Sequence, residues 1–261
     1  MSAQNSTPVR EKHSFPNEQG EILSALIERP AGKVKAYALF AHCFTCSKNI
    51  GTATRISRAL AQRGFAVMRF DFTGLGSSEG EFANTNFSSN VSDLVSAAAY
   101  LRELERAPGI LVGHSLGGAA VIAAAAGIPE ARAVVTIAAP DDPAHMHHLL
   151  RDSVPDIERQ GWAHVSIGGQ EFTIKKQFLD DVSEHSLDEA LRNLGRPLLL
   201  LHSPADELIG IDHAYHLFQV ASEPKSLISL DNADHLLSNP ADAEYAAEAI
   251  SAWASRYIHS P

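Results

Sequence analysis

A serine stands at the centre of the segment Gly113-His114-Ser115-Leu116-Gly117, between an apolar run and an alanine-rich run. The apolar run Ile110-Leu111-Val112 is typical of a buried strand, and the residues from Ala119 to Ala126 favour a helix. The pattern predicts a strand, a sharp turn and a helix, with Ser115 at the corner and glycines where side chains would clash. A hydroxyl exposed on such a strained turn can act as a nucleophile. An incidental serine in a glycine-rich connection is the alternative interpretation.

Two further residue types are needed for this chemistry. A serine hydroxyl is a poor nucleophile unless an imidazole accepts its proton and a carboxylate orients that imidazole. His235 follows one predicted strand and precedes the last predicted helix, so it is the expected base, and Asp206 follows the preceding strand as the expected acid. Glu207 competes with Asp206 for the role, whereas Asp231 and Asp234 are typical of a turn close to His235.

Acyl transfer also needs two N–H donors that stabilise a negatively charged oxygen. The first is expected from the residue after the nucleophile, Leu116. The second is expected from the loop 42–49, which follows a short apolar strand, and Phe44 is the predicted donor through its backbone.

Composition excludes several classes of protein. The 261 residues are 45% apolar and 20% charged, as in a globular domain with a sizeable core, and the net charge is −10. Because no long basic run is present, we expect neither nucleic acid nor an anionic membrane as a partner. No apolar run approaches the ~20 residues that span a bilayer. The polar segment from Met1 to Gln19 does not have the pattern of a signal peptide, so a cytoplasmic protein is expected.

The remaining pattern predicts the architecture. After an irregular polar start to about residue 14, short apolar runs alternate with amphipathic or alanine-rich segments. Strands that alternate with helices indicate an α/β protein with a mostly parallel, doubly wound sheet. The predicted strands are 22–28, 37–41, 65–70, 110–112, 133–138, 197–201 and 226–230.

The alternation breaks between residues 141 and 195, so we predict a core formed by 1–140 and 196–261 with an inserted lid at 141–195. In this insertion Gly168-Gly169 joins two alternating runs, which predicts a β-hairpin. An isolated hairpin is unstable in water, so the apolar face of the hairpin and of the helix after it is expected to pack against another surface. Ligands bind at the carboxyl ends of the strands, where this insertion starts, so we expect that surface to be the active site. The alternative is an insertion packed at the sheet edge without a role in binding. The predicted substrate-binding residues are Val165, Ile167, Phe172 and Phe178.

Several of these motifs carry a family resemblance. The serine turn, the loop 42–49 and the segment Arg69–Gly76 resemble serine esterases of the α/β-hydrolase superfamily. The segments 42–48, 82–90 and 229–237 more closely resemble the hydrolase half of bacterial proteins in which an α/β-hydrolase is fused to an OsmC-like domain. The resemblance implies an α/β-hydrolase fold from about Phe15 to Tyr257 and a C-terminal OsmC-like partner domain. Since this sequence ends at Pro261, we expect a shortened chain or a stand-alone relative.

The loop 42–46 is also similar to the His-Gly-Phe-Thr-Gly loop of cinnamoyl and feruloyl esterases, but here Cys43 and Cys46 replace both glycines. The expected role of these cysteines is to pack the loop as two small thiols. The alternative is a regulatory disulfide beside the nucleophile, while half of a zinc site is disfavoured because no second pair exists. The cluster His145, His147 and His148 is expected to be a solvated edge rather than a metal site, so we expect no metal.

The predicted function is that of a serine carboxylesterase that cleaves a small-molecule ester, with a short-chain or aromatic acyl group of the hydroxycinnamoyl kind, and needs no cofactor. A peptidase, a thioesterase or a perhydrolase would use the same three side chains and remains open. A non-catalytic ligand sensor on the same scaffold is an alternative from a different class. The sequence is compatible with a homo-oligomer.

Overall fold

The computed structural model describes residues 7–258. Its strands, in chain order, are β1 (Val9–Pro16), β2 (Ile22–Arg29), β3 (Ala36–Ala41), β4 (Phe65–Phe70), β5 (Pro108–His114), β6 (Ala133–Ile137), β7 (Trp162–Ile167), β8 (Gln170–Lys175), β9 (Leu198–His202) and β10 (Lys225–Ser229). Its α-helices are α1 (Gly51–Gln62), α2 (Phe87–Glu103), α3 (Leu116–Ala124), α4 (Met146–Leu149), α5 (Val154–Gln160), α6 (Lys176–Glu184), α7 (Leu187–Arg192), α8 (Ile211–Val220) and α9 (Pro240–Ile258).

Eight of these strands form one sheet in the order β1-β2-β4-β3-β5-β6-β9-β10. The six strands from β4 to β10 in this order are parallel, while β2 and β1 complete one side in antiparallel pairing. Each central strand is buried on both faces, which explains the continuous apolar runs of the sequence. On one face, Phe40 and Val112 pack with α1 and α9, and on the other face, Leu39 and Leu111 pack with α2 and α3.

The predicted irregular start is wrong for residues 9–14, which belong to β1, and its residues 1–6 lie outside the described part of the chain. In β1 the side chain of Phe15 is buried, Arg10 and Lys12 are exposed, and Glu11 is half-buried. Glu11 accepts a hydrogen bond from Arg29 at 2.8 Å across the β1–β2 pair. Because this edge strand is stabilised by cross-strand charges and backbone pairing, its sequence carries little apolar signal.

The insertion between β6 and β9 contains the predicted hairpin. Strands β7 and β8 pair antiparallel in the expected register, with Val165 opposite Phe172. Helix α6 follows and buries Phe178, Leu179 and Val182, while α7 packs against α3 and α8. None of the helices within residues 7–258 combines the length and the apolar character needed to cross a membrane.

Candidate active site

Ser115 lies at the corner between β5 and α3, at the carboxyl edge of the sheet. Its φ of +57° is a left-handed conformation that a residue with a side chain rarely adopts. The neighbouring glycines make the turn possible because a Cβ on Gly113 would lie 2.2 Å from the Gly117 carbonyl oxygen. The Ser115 amide donates to the carbonyl of Ile137 at 2.9 Å and fixes the corner to the adjacent strand β6. The turn therefore holds the hydroxyl in a defined, strained position.

The structure brings the three predicted catalytic side chains together. His235 Nε2 lies 3.0 Å from Ser115 Oγ, and His235 Nδ1 lies 2.8 Å from Asp206 Oδ2. Since a carboxylate only accepts, Nδ1 carries the proton and Nε2 is left to accept the proton of the serine. The three residues are separated by up to 120 positions in the sequence, and each lies after the carboxyl end of a different parallel strand.

Asp206 is held as a charged acceptor. Its Oδ1 accepts hydrogen bonds from the amides of Leu208 and Ile209, each at 2.9 Å. Burial opposes the ionisation of this carboxyl, but the hydrogen bonds from His235 and from the two amides outweigh that effect, so the pKa of Asp206 lies below its ordinary value. The site therefore keeps a negative charge next to His235 at neutral pH.

The competing carboxylates do not reach the imidazole in this way. Glu207 is exposed, and its side chain makes no hydrogen bond within residues 7–258. Asp231 accepts from the hydroxyl of Ser229 at 2.6 Å, and Asp234 accepts from the amide of Ser238 at 2.7 Å. Both aspartates thus have the local roles in turns that their positions indicate.

The residues predicted to supply the two N–H donors are neighbours. Phe44 and Leu116 both line one small cavity of about 10 Å³. The loop after β3 approaches the start of α3 so closely that a Cβ on Gly117 would lie 2.4 Å from the carbonyl oxygen of His42. Leu116 is the first residue of α3, where a backbone N–H has no acceptor within the helix and is free for a ligand.

The two cysteines are not the pair of thiols that we expected. Cys43 and Cys46 form a disulfide with a Cα–Cα distance of 5.4 Å. The bond closes a short loop that contains Phe44 and Thr45, and Thr45 has a φ of +58°. The Cys46 amide also donates to the carbonyl of Cys43 at 3.2 Å. Because this loop turns back on itself, the two cysteines of a Cys-x-x-Cys spacing come within bonding distance.

A buried network of charges supports the same loop, and sequence reasoning missed it. The Lys48 ammonium pairs with the carboxylate of Asp71, and both side chains are almost fully buried. Arg69, which is also buried, donates to the carbonyl of Lys48 and pairs with Glu28 at 2.9 Å. Removing one partner of such a pair would leave a buried charge uncompensated. The network therefore ties the end of the loop 42–48 to strands β4 and β2.

Ser115 and His235 open onto a cleft of about 1160 Å³ that lies against the insertion 141–195. Of the predicted substrate-binding residues, Ile167 and Phe172 line this cleft. Val165 and Phe178 do not line it; the buried ring of Phe178 instead stacks on Phe44, 4.9 Å between centroids, and supports the wall from behind. None of the other apolar residues of the cleft was predicted to bind substrate. They include Ile50, Leu75, Met146, Leu149, Leu150, Leu208 and Leu236.

The histidines near the start of the insertion contact neighbouring side chains. The ring of His145 packs edge-on against His213, and His147 Nε2 lies 2.8 Å from the hydroxyl of Ser183. The carboxylate of Asp141 lies 2.5 Å from His213 Nδ1 and holds the pKa of that histidine above its usual value. Residues 7–258 contain no cluster of three or more His, Cys, Asp or Glu side chains arranged to hold a metal ion.

This chain is similar to several known proteins. The esterase domain of a Rhodothermus marinus protein is 50% identical, with a TM-score of 0.80 over 96% of this chain and 99% of that chain. Rat palmitoyl-protein thioesterase ABHD10, a mitochondrial protein, is 28% identical over 229 residues, which are 85% of this chain and 76% of that protein.

The fold alone is shared with Est1E from Butyrivibrio proteoclasticus, solved with ferulic acid bound. That structure is 17% identical, with a TM-score of 0.78 over 95% of this chain and all of that chain. A model of the Alpha/beta hydrolase family matches residues 38–249. The predicted α/β-hydrolase fold is thus confirmed, and the chain belongs to the alpha/beta hydrolase family.

Proposed function

We propose that this chain is a serine hydrolase that cleaves carboxylic esters through an acyl-enzyme intermediate. One observation carries the proposal, namely the unbroken hydrogen-bonded series from Ser115 Oγ through His235 to Asp206. The position of the serine on a strained turn supports it, because this conformation presents the hydroxyl to the cleft. The 50% identity to a chain described as an esterase domain supports the same activity.

In the proposed reaction, Ser115 Oγ attacks the acyl carbon while its proton moves to His235 Nε2. Asp206 stabilises the resulting imidazolium through Nδ1. The negative charge on the former carbonyl oxygen is stabilised by the N–H groups of Phe44 and Leu116. As the tetrahedral intermediate collapses, His235 returns the proton to the leaving alkoxide. Water then attacks the acyl-serine with His235 as its base, which releases the acid and restores the serine.

The substrate is proposed to be a small molecule with an apolar or aromatic acyl group. The cleft is lined by the apolar side chains of Met146, Leu149 and Leu150 and by the ring of Phe172, and burial of these groups against an acyl chain is favourable. Ser166 and Gln170 place polar groups on the hairpin side of the same cleft. Segment 141–195 therefore acts as a lid that selects the substrate, and the reaction needs no cofactor.

Thioesters are the second candidate class of substrate. Rat ABHD10, which is similar over most of this chain, is named a palmitoyl-protein thioesterase. A thioester carbonyl reacts with the same serine and develops the same oxyanion, so the active-site geometry accepts either bond. The size and apolar lining of the cleft also suit a longer acyl chain.

A matched panel of substrates tests the proposal. Oxoesters and thioesters that share the same acyl group would be compared for acetyl, butyryl, octanoyl, palmitoyl and feruloyl groups. We expect turnover of at least one oxoester series, with kcat/KM that rises with apolar acyl surface, and loss of that turnover in Ser115→Ala. Thioester turnover alone would replace the carboxylesterase assignment with the second candidate. Undiminished turnover in Ser115→Ala would overturn the mechanism, and no turnover of any member by a folded protein would favour a ligand sensor.

A further inference from the structure

Three buried histidines lie at the carboxyl ends of three parallel strands. His42 follows the last residue of β3, His114 is the last residue of β5, and His202 is the last residue of β9. Each imidazole is about 1% exposed. None of them belongs to the series Ser115–His235–Asp206, so the proposed chemistry leaves these three titratable groups without a role.

Each of these imidazoles contacts a backbone carbonyl in a different functional loop. His42 Nδ1 lies 2.8 Å from the Cys43 oxygen, His114 Nε2 lies 2.8 Å from the His235 oxygen, and His202 Nε2 lies 2.8 Å from the Ile209 oxygen. Since a carbonyl oxygen only accepts, the nitrogen that faces it must carry the proton. The three contacts therefore fix one tautomer for each ring.

Burial disfavours the charged form of all three histidines. Burial lowers the pKa of His42 to about 4 and, together with the charge of His235, lowers the pKa of His114 to about 3. Burial also lowers the pKa of His202. Within residues 7–258, His42 Nε2 and His114 Nδ1 have no hydrogen-bond partner, so a second proton would add a buried, unpaired N–H donor.

We propose that His42, His114 and His202 are positioning residues, each of which orients one loop of the active site through a single hydrogen bond to a backbone carbonyl. The inference rests on the proposed function, because the loops supply the oxyanion donor, the base and the acid of that reaction.

His42 acts on the oxyanion donor itself. The Cys43 carbonyl and the Phe44 N–H belong to one planar peptide unit, and in a trans peptide they point in opposite directions. Holding the carbonyl against His42 therefore directs the Phe44 N–H away from the ring. The Cys46 amide donates to the same carbonyl, so two hydrogen bonds fix this peptide plane.

His114 and His202 act on the base and on the acid. His114 donates to the carbonyl of His235, so a residue next to the nucleophile sets the position of the base. His202 donates to the carbonyl of Ile209, whose amide donates to Asp206 Oδ1. Each contact limits the movement of a loop that carries a reacting group, and a displacement of about 1 Å can cost ~10²-fold in rate.

Paired amide substitutions test the proposal with matched size and polarity. The amide nitrogen of asparagine lies near the position of histidine Nδ1, and that of glutamine lies near Nε2. We expect His42→Asn to keep kcat and His42→Gln to lose it, whereas His114→Gln and His202→Gln keep kcat and His114→Asn and His202→Asn lose it. The loss should be roughly 10- to 100-fold in kcat with KM nearly unchanged, because the loops position reacting groups.

The result that would overturn the proposal is a common effect of asparagine and glutamine at each site, or retained kcat in all six variants. Because a variant can fail to fold, ¹⁵N spectra of the histidine rings of the parent protein provide a second measurement. These should show the Nδ1–H form for His42 and the Nε2–H form for His114 and His202 at pH 7.5, where a lowered pKa leaves each ring neutral, and the opposite tautomer or a mixture of tautomers would also refute the proposal. Ser115→Ala separates this failure from failure of the proposed function. If this variant loses turnover while the histidine variants do not behave as expected, the positioning roles fail and the proposed function stands.

Discussion

The disulfide between Cys43 and Cys46 encloses Phe44, the residue whose N–H is proposed to stabilise the oxyanion. The bond spans three positions and closes a loop in which Thr45 has a left-handed φ of +58°. A loop of this size that lacks the bond would sample more backbone conformations. The disulfide therefore helps to fix the direction of the Phe44 N–H, together with the hydrogen bonds to the Cys43 carbonyl.

Reduction of this disulfide is expected to lower kcat with little change in KM. Dithiothreitol transfers two electrons and two protons to the bond, gives two free thiols and becomes a cyclic disulfide. The loss should approach but not exceed the roughly 10²- to 10³-fold cost of removing one oxyanion donor. Ester turnover before and after reduction measures the effect. The double variant Cys43→Ser, Cys46→Ser is the control, because its low rate should not respond to dithiothreitol, and equal rates of the oxidised and reduced parent would contradict the prediction.

Substitution of Gly117 is expected to displace the oxyanion loop. In Gly117→Ala the new methyl group would lie 2.4 Å from the His42 carbonyl oxygen and 2.6 Å from that of Ala41. Both are backbone atoms, so we expect a destabilisation of about 1–3 kcal/mol and a fall in kcat. Gly32→Ala is the matched control because no atom lies within 4 Å of its added methyl group. Urea unfolding and ester turnover of both variants check this, and equal behaviour of the two would count against it.

Substitutions of two adjacent carboxylates, Asp206 and Glu207, test which of them orients the base. Asp206→Asn removes the charge that orients and stabilises His235, so we expect kcat to fall by as much as ~10⁴-fold. Glu207→Gln changes the next residue, which is exposed, and should leave kcat unchanged. Turnover of one good ester by both variants is the measurement. A large loss in Glu207→Gln with a small loss in Asp206→Asn would reverse the assignment.

The buried neutral histidines make stability depend on pH. Unfolding returns the pKa of His114 from about 3 to its ordinary value of 6.5. Between these values the unfolded chain binds a proton that the folded chain does not, so the free energy of unfolding decreases as the pH falls below 6.5. Each such histidine contributes a slope of about 1.4 kcal/mol per pH unit.

His114→Gln is expected to reduce this slope by about one proton, because glutamine does not titrate. Urea unfolding of the parent and the variant at pH 7, 6, 5 and 4.5 measures the difference, and carboxylates contribute equally to both proteins. Identical slopes would show that His114 is not held neutral in the folded state.

Much of the architecture could be predicted from local patterns. The strand 65–70 and the hairpin around Gly168-Gly169 were expected in the positions and the register that the structure shows. Their apolar runs and turn residues are local signals that do not depend on distant parts of the chain. The positions of Ser115, Asp206 and His235 after three different parallel strands predicted their meeting, because parallel strands end at one edge of the sheet.

Other features depend on partners that are distant in sequence. Strand β1 was missed because its charged residues are paired across strands, as Glu11 is with Arg29. The pair of Lys48 and Asp71 has no local signal, since the two residues meet only when the loop 42–48 packs against the end of β4. Phe178 was expected in the cleft because it is apolar, but its ring packs behind Phe44. Apolar patterns identify buried side chains without distinguishing a cavity wall from the layer behind it.

The central claim is that Ser115 is the nucleophile, and covalent labelling tests it most directly. The protein would be treated with a fluorophosphonate, which reacts with a serine that a neighbouring imidazole activates. We predict one adduct per chain, located on Ser115 by peptide mass mapping and absent in Ser115→Ala, with loss of ester turnover in proportion to labelling. A folded parent protein that remains unlabelled, or an adduct on another residue that accounts for the lost turnover, would contradict the account.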